Sequence, residues 1–320
     1  MRLSTLLAVA TLSVAAPAVA QAAQPSPYLT VEQLRAKFAD KDSKFANIGG
    51  VEIHYKDEGK GPVLLMVHGS QSSLRTWDGV VAKLKDRYRI IRYDVAGQGL
   101  SGNISDEAAA TLKPTDIAEG LLKQLGVTKL KAGVGVSSGG TLIAFLASGR
   151  PDLVERAILS NMPSDPVVTT HLKQPQAFLD AQARAKANKV TDLDYWNQFL
   201  SYFSGDPARI SPAKRQEYAD YNRREPNKNL IALTAQIRDG KESTATFAAM
   251  TTPALLIWGG SDQLLPVPAA DRLQQYLTKS EVSRVILPDV GHYPPLEVPD
   301  RFADIMAAYI ESGVPNLPKP

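Results

Sequence analysis

Short runs of consecutive apolar positions recur at residues 63–67, 89–93, 130–136, 154–159, 254–258 and 282–287, and each reads as a strand buried on both faces. Between them, residues 73–86, 115–125, 139–148, 269–278 and 300–311 space their apolar positions three and four apart, as amphipathic helices do. Upstream, residues 31–38 carry a short helical pattern, and residues 45–48 and 51–55 form a strand pair turning at Gly49-Gly50. Eight strands alternating with helices predict an α/β fold, a mostly parallel sheet covered by helices on both faces.

The alternation breaks once. Residues 162–250 are patterned almost wholly as helix, with Tyr195, Trp196, Phe199, Tyr202 and Phe203 at helical spacing. This predicts a helical lobe inserted into a core made of residues 45–161 and 251–314. For any one of those aromatics, packing within the lobe is the expected role. Residues 21–44 form an N-terminal segment, and the proline-rich residues 315–320 read as a tail.

Composition narrows the function classes. The chain has 320 residues, 44% hydrophobic and 22% charged, which is ordinary for a globular protein. Its 36 basic and 33 acidic residues give a net charge of +3 with no long block of either sign, so no nucleic-acid partner is expected. Cysteine is absent, which removes thiolate chemistry and disulfides. The four histidines, His54, His68, His171 and His292, never fall within one helical turn of another, so no metal site is expected. At the start, Arg2, the apolar residues 3–16 and Ala18-Val19-Ala20 read as an export signal cleaved near Ala20, predicting a periplasmic or secreted protein without stable membrane insertion.

Candidate chemistry centres on Gly133-Val134-Gly135-Val136-Ser137-Ser138-Gly139-Gly140. Gly135 to Gly139 fits G-x-S-x-G between a predicted strand and a predicted helix, the setting of a strained turn that exposes a nucleophilic serine. The frame selects Ser137, because centring it on Ser138 would require glycine where Val136 stands. A phosphate loop would need a lysine after the turn, and a dinucleotide fingerprint an acid at the end of the next strand; neither is present. A serine hydroxyl needs a base, and the base needs an acid to hold its tautomer. His292, after the last predicted strand, is the expected base. Asp262, just past the strand before it, is the expected acid, with Asp165 as the alternative.

Five motifs in order, His68-Gly69, Asp94 to Ser101, the Ser137 turn, Trp258-Gly259 to Asp262 and Gly291-His292, make the chain resemble the α/β-hydrolase superfamily in its small lid-bearing esterase and hydrolase branch. The resemblance covers residues 46–161 and 251–312, and the lobe at 162–250 matches the family's cap by position alone. It implies an oxyanion hole from the backbone N–H groups of Ser70 and Ser138, and structural roles for His68 and Asp94. Trp77 lies close in sequence to that loop but is expected to pack. A serine nucleophile sets the chain apart from relatives that attack with aspartate. In place of the common His-Ser-Met around the nucleophile stands Val136-Ser137-Ser138, so no narrow substrate transfers. The expected function is a serine hydrolase acting on a small-molecule carboxylic ester or lactone, with no cofactor and no protein partner implied. Cleavage of carbon–carbon bonds and cofactor-free perhydrolysis are alternatives for the same triad, and a non-catalytic binding module is the alternative of another class.

Overall fold

The computed structural model describes residues 26–235 and 240–312; the expected export signal and the tail at 315–320 lie outside the described residues. α1 (Val31–Phe38) opens with a capping box, in which Thr30 and Gln33 each accept the other's backbone N–H. β1 (Lys44–Ile48) and β2 (Val51–Glu58) pair antiparallel through Gly49 and Gly50, both at positive φ, which glycine adopts without a Cβ penalty. Then come β3 (Val63–Val67), a 3₁₀ turn (Leu74–Trp77), α2 (Asp78–Leu84), β4 (Arg89–Tyr93), α3 (Asp106–Thr111), α4 (Asp116–Gln124), β5 (Ala132–Val136), α5 (Ser138–Gly149) and β6 (Ala157–Ser160).

Between β6 and β7 the described elements are helices, reached after a non-helical stretch at 161–175: α6 (Gln176–Asn188), α7 (Leu193–Phe203), a 3₁₀ turn (Pro207–Arg209), α8 (Pro212–Tyr221), α9 (Lys228–Ala235) and α10 (Gly240–Ala249). The chain finishes with β7 (Ala254–Gly259), α11 (Val267–Tyr276), β8 (Val282–Leu287), α12 (Pro294–Glu297) and α13 (Pro299–Glu311). The described strands form one eight-stranded sheet in the order β1-β2-β4-β3-β5-β6-β7-β8, antiparallel at its first two pairings and parallel from β4 onward.

Alternation along each strand divides the core into two layers. Leu64 and Met66 of β3 face α2 and α13, while Leu65 and Val67 face α4, α5 and α11. β7 does the same, with Leu255 and Ile257 on the first side and Leu256 and Trp258 on the second. Burial on both faces is why these strands read as unbroken apolar runs. β6 is shorter than the run 154–159 predicts, because Val154 makes only an isolated bridge to Leu130 before the ladder begins at Ala157. The single helix expected over 73–86 divides into the 3₁₀ turn and α2.

Helices α6 to α8 have a core of their own, in which Phe178, Trp196, Leu200, Phe203, Ile210 and Tyr218 pack with Tyr293 from the loop before α12, whereas Leu233 of α9 and Phe247 of α10 join the main core beside α5. Trp77 is fully buried and packs against Phe302, so its role is packing. The parallel strands β3, β5, β6 and β7 bring their C-terminal ends to one edge beneath the insertion, the position where open α/β sheets bind ligands.

Candidate active site

The turn from β5 into α5 is built by what glycine lacks. A Cβ on Gly135 would lie 2.3 Å from the Gly139 carbonyl oxygen, and one on Gly139 would lie 2.3 Å from that of Val67. Only with both positions bare can the helix start directly over the strand. Ser137, between them, is held at φ 53° and ψ −130°, a region that costs a non-glycine residue of order 1–3 kcal/mol. Its N–H donates to Ser160 O (2.9 Å) and its carbonyl accepts from Gly140 N–H (2.8 Å), so the surrounding ladder and helix hold it there.

His292 arrives on the loop after β8. Its backbone N–H donates to Phe203 O at the end of α7 (2.7 Å), and its Nδ1–H donates to Asp262 Oδ2 (2.8 Å). With the proton fixed on Nδ1, Nε2 is the basic nitrogen of the neutral ring. Ser137 and His292 line one small cavity of about 90 Å³. Among the described residues no hydrogen bond joins Ser137 Oγ to His292 Nε2; such bonds are often long before substrate binds and shorten in the reactive complex.

The two expected oxyanion positions also meet. Ser138 is the first residue of α5, where backbone N–H groups have no helical partner and the helix dipole is positive. Ser70 follows His68-Gly69 at the end of β3, and its Oγ lies 3.0 Å from Ser138 Oγ. Gly69 fits under the elbow, since a Cβ there would come within 2.9 Å of Ser137 Cβ.

The sequence that builds this site matches an established family. The model of the Alpha/beta hydrolase family fits residues 64–305. The chain belongs to that family. Among curated relatives, it is 28% identical over 262 residues to the pimeloyl-[acyl-carrier protein] methyl ester esterase of Nitrosomonas europaea, covering 80% of this chain and 98% of that one. It is 26% identical over 286 residues to a 2-hydroxy-6-oxononadienedioate/2-hydroxy-6-oxononatrienedioate hydrolase of Paraburkholderia phymatum, covering 84% and 95%. Among solved structures, the enol-lactonase of Burkholderia xenovorans shares its fold with a TM-score of 0.63 at 19% identity, over 83% of this chain and 99% of that one.

Within this hydrolase fold the surrounding residues sort by their partners. Asp262 accepts four hydrogen bonds: Leu264 and Leu265 N–H on Oδ1 (2.8 and 3.1 Å), Asn161 Nδ2 (2.7 Å) and His292 on Oδ2. Asn161 was not singled out by the sequence. It stands at φ 41° directly after β6, and its Oδ1 accepts from Gly259 N–H (3.1 Å), so one amide braces both the acid and the end of β7. Its only sequence signal is an amide following an apolar strand, a common turn signal.

Asp165, the alternative acid, is bonded to Tyr276 Oη (2.9 Å), Arg272 Nε (3.1 Å) and Ser164 Oγ (3.0 Å), with no bond to His292. His171 donates to Gln263 O from an exposed position. Asp289 pairs with Arg209 and Arg301 on the surface. His68 is fully buried, accepts Val95 N–H at Nε2 (3.0 Å) and donates from Nδ1 to Gly69 O (2.7 Å). Burial pushes its pKa down, keeping it a neutral brace for the β3 loop. Asp94, also fully buried, accepts Leu74 and Leu100 N–H (both 2.7 Å) and His54 Nδ1–H (2.7 Å). Burial disfavours its charge, but the His54 hydrogen bond, with the Leu100 N–H, outweighs that and holds its carboxyl below the usual range.

Proposed function

We propose that this chain is a serine hydrolase that cleaves a small-molecule carboxylic ester or lactone through an acyl-enzyme. In this reading Ser137 Oγ attacks the carbonyl while His292 Nε2 takes its proton and returns it to the leaving alcohol. Asp262 holds the His292 tautomer and stabilises the imidazolium. The N–H groups of Ser70 and Ser138 stabilise the tetrahedral oxyanion, a contribution of ~3 kcal/mol per donor in comparable sites. Water activated by His292 then releases the acid. The helices of residues 162–250 act as a cap over the sheet edge.

The observation that carries the reading is the 2.8 Å bond from His292 Nδ1 to Asp262, opening Nε2 toward the cavity that Ser137 lines. The esterase and lactonase relatives favour the same bond class. The relative from Paraburkholderia phymatum favours a second reading, hydrolysis of a carbon–carbon bond in a vinylogous diketone by the same groups. A panel of p-nitrophenyl esters and lactones, with fluorophosphonate labelling, tests the first. Covalent label on Ser137 and ester turnover in the native chain, both lost in Ser137→Ala, are the expected results. Label with no ester turnover, but with cleavage of a dienol diketone, would favour the second.

The apolar N-terminus supports export, so the mature protein is proposed to begin just after Ala20 and to meet its substrate outside the cytoplasm. N-terminal sequencing of the secreted or periplasmic protein reads this directly.

A further inference from the structure

Two cavities meet at Ser137 and differ in size. One, of about 370 Å³, runs past Ser138, Ser164, Asp165, Val167, Leu264 and Leu265. The other, of about 90 Å³, lies on the His292 side and has room for about three water-sized groups. Phe199 and Tyr293 wall the smaller cavity, and at its polar end are Ser72, Thr76 and Tyr218.

Those three hydroxyls are buried and form a cluster across the junction of the β3 loop and α8. Ser72 Oγ lies 2.5 Å from Thr76 Oγ1 and 2.9 Å from Tyr218 Oη, while Thr76 Oγ1 and Tyr218 Oη are 3.5 Å apart. Three hydroxyls own three donor hydrogens, and two short bonds use two of them. The third O–H has only the long 3.5 Å contact between Thr76 and Tyr218 to close, so it is the one given up to a better-placed acceptor in the cavity. Burial pushes the Tyr218 phenol above its ordinary range, so it keeps its proton at any working pH. Tyr293, whose hydroxyl has no hydrogen-bond partner among the described residues, stands on the same wall. No lysine or arginine lines the cavity, so a carboxylate placed there would be buried without a counter-charge.

We propose that this cavity is a specificity subsite for the shorter side of the substrate, and that the Ser72-Thr76-Tyr218 cluster donates a hydrogen bond to a neutral oxygen carried on that side, such as an ether, hydroxyl or ketone oxygen. The longer side runs into the larger cavity. The inference rests on the serine-hydrolase reading and adds the substrate class to it.

Isosteric pairs test it. p-Nitrophenyl methoxyacetate and butyrate differ by one ether oxygen in place of one methylene on the acyl side. The 2-methoxyethyl and butyl esters of one acid make the same exchange on the alcohol side. For each pair the ratio of kcat/KM is measured in the native chain, Tyr218→Phe and Thr76→Val, so that intrinsic reactivity and any general loss cancel within each protein. Loss of one neutral hydrogen bond should lower the oxygen-to-methylene ratio roughly 3- to 10-fold in at least one pair in both variants. Should Tyr218→Phe fail to fold by circular dichroism, Ser72→Ala takes its place. Unchanged ratios in both pairs, with Ser137 still labelled by fluorophosphonate, overturn the subsite alone. Absent label and absent ester turnover in the native chain bring down the serine-hydrolase reading and the subsite with it.

Discussion

Ser137 stores its strain in the backbone rather than the side chain. At φ 53° and ψ −130°, alanine is as unfavourable as serine, whereas glycine reaches this region freely. Ser137→Gly is therefore expected to raise the free energy of unfolding by roughly 1 kcal/mol over Ser137→Ala, the relief of strain exceeding the added chain entropy. Both should lose ester turnover by at least ~10⁴-fold. Urea denaturation of the two variants reads the first expectation, and an equal midpoint would refute it. Ser138 differs, since its proposed role is a backbone N–H and its hydroxyl only ties it to Ser70. Ser138→Ala should keep turnover within ~10-fold of the native chain, the scale of one neutral hydrogen bond. The turn at Ser137 was legible from its glycines, and Asp262 and His292 stood out as the carboxylate and the histidine that follow the last two predicted strands. Asn161 did not, because its meaning comes from Gly259 at the end of β7 and Asp262 in the loop after it, which follow an insertion of some ninety residues.

At the scale of elements, the strands were the most legible feature, and β3 and β4 begin and end where their apolar runs do. The short α3 and α12 were missed, being too brief to display a helical period. Also illegible was the joint between α7 and the His292 loop, which links residues far apart in the chain. Glu297, buried at the end of α12, accepts Gly291 N–H on Oε1 (3.0 Å) and Gly205 and Asp206 N–H on Oε2 (2.8 and 3.3 Å). Gly291 allows the close approach, since a Cβ there would stand 2.3 Å from Phe203 O. The carboxylate thus fastens the histidine loop to the insertion. Glu297→Ala would orphan three backbone donors, and a loss of about 3 kcal/mol in unfolding free energy is expected. If the joint also aims His292, kcat for esters should fall at least ~10-fold at temperatures where the variant is fully folded, with KM little changed. Native kcat in a folded Glu297→Ala protein would restrict Glu297 to stability.

For the whole molecule, the buried ionisable groups predict how stability follows pH. The folded pKa of His68 lies below its ordinary 6.5, because burial disfavours its charge. Between the two values the unfolded chain binds a proton that the folded chain refuses, so stability is complete above about 6.5 and declines as pH falls from there. Asp94 acts lower in the range. Its carboxyl is held below the ordinary 3.8, and its contribution, present above that value, is lost as pH falls through the folded pKa. Glu297 runs the other way: burial raises its pKa above 4.5, so its contribution is complete below 4.5 and lost as pH rises through the folded value. Acid should therefore destabilise the fold first below 6.5 through His68, with Glu297 opposing that slope wherever their ranges overlap, and again below 3.8 through Asp94. One proton sets a limiting slope of ~1.4 kcal/mol per pH unit for the His68 step. Urea denaturation of the native chain at intervals from pH 8 to 5 should show unfolding free energy falling below 6.5. His68→Asn, which offers an amide donor and acceptor but no titrating group, should be less stable throughout and show a flatter profile over that interval. Parallel profiles for the two proteins would mean that another group governs the acid response.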